Sequence, residues 1–234
     1  MKLLIILTSH SQLGEMKLAN SQGKTGFWIE EFSTPYYLFK KAGFEITLAS
    51  PKGGQPPIDP RSDTRDTQTP SVLQYKNDRR LLDQMANTIP LSDVNAKDFD
   101  VVFYPGGHGP LWDLTNDEDS IRLIESFWKA GKPIGAVCHG PAVLLHAKDE
   151  KEGLLLNGKK VTGFSNTEEE AIKLTKVVPF LLEDQLKMKG ANYSKAHDFT
   201  PYVVKDKMLI TGQNPASSEG VANELINAAK KRKL

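Results

Sequence analysis

The chain has 234 residues, 39% of them hydrophobic and 25% charged, which is a typical globular composition. Thirty basic residues against 29 acidic ones leave a formal charge of +1, which argues against nucleic-acid or membrane-surface binding. No apolar run approaches the roughly 18 residues of a membrane span, and the apolar run at 3–7 is too short for a signal-peptide core. A single cysteine excludes an intramolecular disulfide framework, so we expect a cytoplasmic protein.

Short apolar runs alternate with amphipathic stretches along the whole chain. The predicted strands are 2–7, 45–50, 101–105, 133–138, 159–164 and 208–212. The predicted helices lie near 26–42, 76–87, 118–130, 140–147, 167–188 and 215–231. The strand runs are nearly continuous in apolar residues, as expected for strands covered on both faces. This order predicts one α/β domain over 1–234, doubly wound, with a mostly parallel sheet sandwiched by helices.

One segment interrupts this alternation. Residues 51–74 contain five prolines, two adjacent glycines and many polar side chains. A connection of this length inside a compact domain is usually functional or flexible. We expect a surface excursion that borders a pocket or a subunit contact.

Polar and glycine-rich sequences follow three of the predicted strands. They read PGGHG at 105–109, CHG at 138–140 and GFSNTEEE at 163–170. Ligands of doubly wound folds bind beyond the carboxyl ends of the strands. The three segments are therefore expected to meet at one site.

Cys138 stands where a strand is expected to end and a helix to begin. Ala136 and Gly140 nearly complete the small-nucleophile-small spacing of a nucleophile elbow. A thiol at a helix N-terminus would have a lowered pKa, whereas a free cysteine elsewhere is usually a buried, inert side chain. His139 follows directly and can act as its base, provided that the chain turns sharply enough for both side chains to converge. No histidine pair has metal-ligand spacing, so we predict no metal.

The PGGHG segment offers backbone amides with little obstruction. Gly106, Gly107 and His108 could bind substrate, with an oxyanion hole formed by the amides of Gly107 and His139. An ordinary loop would carry the same glycine signals. Spacing alone does not choose between these two interpretations.

Carboxylates occur in two places. Glu30 and Glu31 are adjacent on a predicted helix and diverge by about 100°, so spacing does not select one. Ser165 and Glu168 form a capping-box pattern, which accounts for the acidic run at 168–170 without any catalysis.

Five motifs in order over nearly the whole chain resemble the ThiJ/PfpI superfamily, whose fold is flavodoxin-like and related to class I glutamine amidotransferases. They are KTGFWIEEFSTPYYLFKKAGFEITLASP (24–51), FYPGGHGPLWDL (103–114), IGAVCHGPAVLL (134–145), VTGFSNTEEE (161–170) and LITGQNPASS (209–218). The resemblance is closest to the heat-shock chaperone and glyoxalase III branch.

The resemblance implies a role for each site residue. Cys138 matches the family's nucleophile, His139 its base and Glu31, four residues before Pro35, the glutamate that hydrogen-bonds the nucleophile. The orienting acid best matches Glu169, with Glu168 and Glu170 as alternatives one residue away. The family's oxyanion amides match Gly107 and His139. A homodimer is also implied, whereas the extra metal-binding residues and N-terminal extension of some larger chaperone members have no counterpart here.

The function implied is glutathione-independent conversion of a small 2-oxoaldehyde, methylglyoxal, to lactate without any cofactor. A deglycase acting on glycated protein or nucleotide would use the same site. A small cysteine peptidase or amidase, a holding chaperone and a stress-sensing thiol protein are the remaining alternatives.

Overall fold

The computed structural model describes residues 1–14 and 23–232. Within them, seven strands form one sheet: β1 Lys2–Ile6, β2 Glu45–Ser50, β3 Ile89–Pro90, β4 Val101–Tyr104, β5 Ile134–Val137, β8 Val203–Asp206 and β9 Leu209–Gly212. Two further strands, β6 Lys160–Val161 and β7 Asn192–Tyr193, pair with each other outside it.

Seven α-helices accompany these strands in the described ranges. They are α1 Ile29–Lys41, α2 Pro70–Asn77, α3 Arg79–Ala86, α4 Glu118–Lys129, α5 Asn166–Ala171, α6 Leu182–Met188 and α7 Ser218–Arg232. No helix in the described part of the chain is both long enough and apolar enough to cross a bilayer.

The main sheet has the order β3-β2-β1-β4-β5-β9-β8, and all of its pairs are parallel except β8 with β9. Successive strands are added outward in opposite directions from the β1/β4 pair, which is the switch point of a doubly wound sheet. The predicted fold class is confirmed.

Both faces of the sheet are buried. Leu3 and Ile5 of β1 pack in a cluster with residues of α1 and α7, whereas Leu4 and Ile6 pack in a second cluster with residues of α4. Alternate side chains of one strand thus enter opposite cores, which explains the continuous apolar runs.

The prediction for 159–164 was wrong in extent and placement. Only Lys160–Val161 is a strand, and it pairs with β7 instead of entering the main sheet. The next amide, that of Thr162, donates to the Thr211 side-chain hydroxyl at 2.9 Å, so regular backbone pairing ends there. The edge strands β3 and β8 were not predicted.

Three predicted helices also differ from the structure. The 76–87 stretch belongs to two helices, α2 and α3, that meet at Asp78, whose side chain caps α3. The 167–188 stretch is interrupted after α5 by Lys173, which has a left-handed φ of 61°, and by Pro179, which cannot continue a hydrogen-bonded helix. The 140–147 stretch is a short 3₁₀ helix, Gly140–Leu144.

Candidate active site

A sharp turn places Cys138 at the carboxyl end of β5. Its φ is 59°, a left-handed conformation that is rare for a residue with a side chain. The turn is held on both sides, since the Cys138 amide donates to the Gly212 carbonyl and the Cys138 carbonyl accepts from the Phe164 amide, each at 2.9 Å. The neighbouring strand β9 and the 163–170 segment therefore enforce the strained backbone.

This turn brings two consecutive side chains together. The Cys138 sulfur lies 3.3 Å from His139 Nδ1, and His139 Nε2 lies 2.7 Å from Glu169 Oε2. Cys138 is 4% exposed, and the His139 and Glu169 side chains are also buried. Thiol, base and orienting carboxylate thus form one continuous chain of contacts.

The three adjacent glutamates are distinguished by the start of α5. Ser165 caps the helix and Glu168 completes the capping box, accepting from the Ser165 amide at 2.9 Å. Glu169, one residue on, faces the imidazole, and Glu170 is exposed. Burial tends to raise the pKa of Glu169, but the charge and hydrogen bonds of its two histidine neighbours outweigh it and hold that pKa well below its ordinary value.

Glu31 of α1 lies beside the sulfur. Its Oε2 accepts the Gly106 amide at 2.8 Å, while Oε1 has no partner of normal hydrogen-bond geometry among the described residues. Burial raises the pKa of Glu31 from 4.5 to about 8, against the lowering effect of the Cys138 thiol and the Gly106 amide. At neutral pH Glu31 is therefore protonated and can act as an acid next to the sulfur. Glu30 is partly exposed.

The expectation of a lowered thiol pKa was wrong. Burial raises the pKa of Cys138 well above its ordinary value, and the neighbouring Glu31 raises it further. The element that follows is a single short 3₁₀ helix, so the macrodipole of a long α-helix is missing at this position. The sulfur rests as a thiol, and His139 is placed to remove its proton during attack.

Gly106 and Gly107 of the PGGHG segment let the backbone after β4 pack closely against its neighbours in the fold. A Cβ on Gly106 would lie 2.7 Å from Glu31 Oε2 and 2.8 Å from the His139 amide nitrogen. Gly107 has a φ of 81°. Within the described residues the amides of Gly107 and His139 donate to no protein acceptor, so both are free to bind an oxyanion.

The His108 side chain contacts Glu169. Its Nε2 lies 2.9 Å from Glu169 Oε1, so one carboxylate is shared by two histidines. Neither Arg61 nor Asp59 was predicted as a site residue. Arg61 Nη2 lies 3.0 Å from His108 Nδ1, and Asp59 binds the Arg61 guanidinium. Both belong to the 51–74 excursion, whose proline and glycine content was the one available signal.

His108, His139 and Glu169 are also the kinds of residue that bind metals, and their nearest ligand atoms lie within 4.8 Å of one another. Arg61 donates to His108 Nδ1, however, which leaves the proton of the neutral ring on Nε2, the atom that would have to bind the metal. The donor set therefore suits a hydrogen-bonded carboxylate better than a metal ion.

Two aromatic rings cover the site. Phe164 lies over the His139 imidazole with ring centroids 4.5 Å apart, and Phe199 meets Phe164 edge-on at 6.3 Å. Phe199 is 49% exposed, whereas Phe164 is buried. Cys138 itself is only 4% exposed, so its sulfur is shielded from large molecules.

The model of the DJ-1/PfpI family matches residues 24–228. The chain belongs to the DJ-1/PfpI family. The family relationship predicted from the five motifs is confirmed.

Three relatives of this DJ-1/PfpI protein match over nearly their whole length. The glutathione-independent glyoxalase HSP31 of Saccharomyces cerevisiae is 30% identical and aligns with 98% of each chain. The crystal structure of glyoxalase III from Candida albicans has a TM-score of 0.87 and 29% identity, covering 97% of this chain and 96% of its own. Rapid Encystment Protein 24 kDa of Francisella tularensis has a TM-score of 0.91 and 37% identity, covering 97% and 98%.

Proposed function

We propose that this chain is a glutathione-independent glyoxalase that converts methylglyoxal to lactate. The contact of the Cys138 sulfur with His139 Nδ1, continued from Nε2 to Glu169, carries the proposal. Full-length similarity to HSP31, which bears the name of such an enzyme, supports it.

The reaction begins with addition of the thiol to the aldehyde. The sulfur forms a bond to the aldehyde carbon while His139 takes the thiol proton, and the Gly107 and His139 amides hold the resulting oxyanion. His139 then returns the thiol proton to that oxygen, which gives a hemithioacetal and leaves the imidazole neutral for the next step. Glu31, protonated below about pH 8, is the acid beside this centre.

An internal proton transfer completes the redox exchange between the two carbons. His139, oriented by Glu169, removes the proton from the carbon bound to sulfur to give an enediol, and reprotonation at the adjacent carbon gives a lactoyl thioester. Water then attacks the thioester, the carbon–sulfur bond breaks, and lactate and the free thiol are released. The sum is methylglyoxal plus water to lactate, which needs no external oxidant or reductant.

A lactate assay without glutathione tests the proposal. Cys138→Ser and Glu169→Gln are expected to abolish or strongly reduce turnover, whereas Glu170→Gln, which changes an exposed neighbour, keeps it. A Cys138→Ser protein that retains most of its turnover would contradict the proposal. Circular dichroism of each variant separates loss of chemistry from loss of fold.

The buried sulfur favours a free aldehyde over a glycated protein, because a large adduct reaches a side chain that is 4% exposed less readily than a small molecule does. Initial rates on methylglyoxal are therefore expected to exceed those on a purified adduct under conditions that prevent aldehyde exchange. The reverse ranking would assign the site to a deglycase. Suppression of client aggregation that survives Cys138→Ser would indicate a chaperone, and turnover of a fluorogenic peptide substrate a peptidase.

We also propose that the chain is one domain, acts as a homodimer and works in the cytoplasm without a cofactor. The motif resemblance supports the dimer, and the single cysteine suits a reducing compartment. Light scattering coupled to gel filtration checks the dimer, and turnover in chelator-treated buffer checks the cofactor.

A further inference from the structure

The mechanism uses one histidine, yet two bind the same carboxylate. His108 Nε2 contacts Glu169 Oε1 at 2.9 Å, and His139 Nε2 contacts Oε2 at 2.7 Å. The two rings lie 4.0 Å apart between centroids, and both are buried. A carboxylate held at both oxygens cannot rotate away from the base.

Arg61 determines which nitrogen of His108 carries the proton. A guanidinium only donates hydrogen bonds, so the Arg61 Nη2 contact at 3.0 Å requires His108 Nδ1 to be an acceptor. The proton of the neutral ring is then on Nε2, which donates to Glu169.

Arg61 is itself held by a buried carboxylate. Its Nε donates to Asp59 Oδ1 at 2.9 Å, and Nη2 also contacts Oδ2. Asp59 is fully buried and accepts a further hydrogen bond from Thr25 Oγ1 at 2.9 Å. The guanidinium is therefore fixed in orientation although Arg61 is partly exposed.

The groups that face His108 keep it neutral. Burial, together with the charges of His139 and Arg61, lowers its pKa to about 4 against the opposing effect of Glu169. A neutral His108 donates to Glu169 without adding a second positive charge. The negative charge of Glu169 thus remains available to stabilise the His139 imidazolium that forms during turnover.

We propose that His108 is a positioning residue of the site, which Arg61 fixes as the Nε2–H tautomer so that it holds Glu169 in line with His139. The catalytic part of this inference rests on the proposed glyoxalase function. The tautomer does not, and it is measured without substrate.

A pair of amide substitutions tests the contact with Glu169. In His108→Gln the side-chain amide occupies the place of Nε2 and can donate to Glu169, whereas in His108→Asn it occupies the place of Nδ1 and reaches only toward Arg61. We expect kcat to fall about tenfold or more in His108→Asn with KM nearly unchanged, and to remain within a few-fold of wild type in His108→Gln. Equal losses in the two variants would overturn the proposal.

A double-mutant cycle tests the role of Arg61. Arg61→Met is expected to lower kcat in the wild-type background and to have little further effect in His108→Gln, whose amide needs no tautomer to be selected. Arg65→Met, which removes an exposed arginine of the same segment, is the control and leaves both backgrounds unchanged. Additive effects of Arg61→Met and His108→Gln would overturn the tautomer argument.

Nitrogen-15 spectra of protein labelled at its five histidines read the tautomer directly. At pH 7, His108, assigned by its loss in His108→Gln, is expected to show an unprotonated Nδ1 and a protonated Nε2. In Arg61→Met this preference weakens. A protonated Nδ1 in the wild type would overturn the proposal, whether or not the protein turns over methylglyoxal.

Discussion

Cys138 and His139 are consecutive in the chain, yet the sulfur of one lies 3.3 Å from Nδ1 of the other. In an extended strand their side chains would point to opposite faces of the sheet. The left-handed φ of 59° at Cys138 reverses this relation and lets both enter one cavity.

The strain of this turn can be measured with two substitutions that both remove the thiol. Cys138→Gly relieves the left-handed conformation and Cys138→Ala keeps it, so we expect the glycine variant to be more stable by about 1 kcal/mol. Urea unfolding of both variants measures the difference. A more stable alanine variant would show that the backbone is not strained.

Glu31 should make stability depend on pH. Its pKa is about 8 in the folded protein and 4.5 ordinarily, so the folded state holds its proton more tightly than the unfolded state. The contribution of this proton to the free energy of unfolding is complete below about pH 4.5 and is lost as pH rises to 8. Between these two pH values the free energy of unfolding falls by about 1.4 kcal/mol per pH unit.

The comparison with Glu31→Gln isolates this effect. The free energy of unfolding of the wild type relative to the variant is expected to decrease between pH 5 and pH 8, as followed by urea titration. A difference that stays constant, or that grows with pH, would contradict the raised pKa.

Substitutions of the adjacent residues Glu168 and Glu169 should affect different properties, stability in one case and turnover in the other. Glu168→Gln weakens a buried acceptor of the Ser165 and Phe199 amides and is expected to cost about 1–3 kcal/mol of stability. Glu169→Gln is expected to lower kcat more than it lowers stability. Thermal unfolding and lactate formation, measured on the same two variants, separate the effects.

The close approach at Gly106 excludes any side chain there. A methyl group would lie 2.7 Å from both Glu31 Oε2 and the Val137 carbonyl, so Gly106→Ala is expected to destabilise the fold by about 1–3 kcal/mol and to impair turnover. Gly153→Ala is the control, since its nearest neighbour is 3.6 Å away. If the two variants were equally stable, this would contradict the close packing of α1 against the turn that follows β4.

The raised pKa of Cys138 predicts a slow thiol. Iodoacetamide should alkylate it more slowly than free cysteine at pH 7, with a rate that keeps rising through pH 9, because burial disfavours the thiolate throughout this range and the Glu31 carboxylate disfavours it further once ionised. Mass spectrometry follows the reaction without ambiguity, as the chain has one cysteine. A rate that reaches a plateau below pH 7 would indicate a preformed thiolate instead.

The parallel core of the fold could be predicted because local composition and burial agree in it. Strands such as β1, β4 and β5 are covered on both faces, so their apolar runs are continuous and easily recognised. The edge strands β3 and β8 lack this signal, since β3 has only two residues and β8 has two valines followed by Lys205 and Asp206. Such short or half-exposed segments become strands through pairing with a neighbouring strand, which their own sequence does not record.

The position of the Cys138 turn could also be predicted, from small residues at the end of an apolar run and from the family motifs. The choice between Glu168 and Glu169 could be made from neither spacing nor composition, because it depends on where α5 begins. Ser165 fixes that start, and one step of 100° along the helix then separates a structural glutamate from one that meets the histidine.

By itself the sequence determined the doubly wound sheet, the single thiol and the edge at which polar segments gather, because these follow from local patterns along the chain. Only the tertiary structure decided that the thiol is protonated at rest, and that Arg61, held by Asp59, reaches His108 from a segment more than 40 residues away. A pKa and a tautomer depend on which charges and hydrogen-bond donors surround a group in space. Residues far apart in the chain supply that environment, so no local pattern records it.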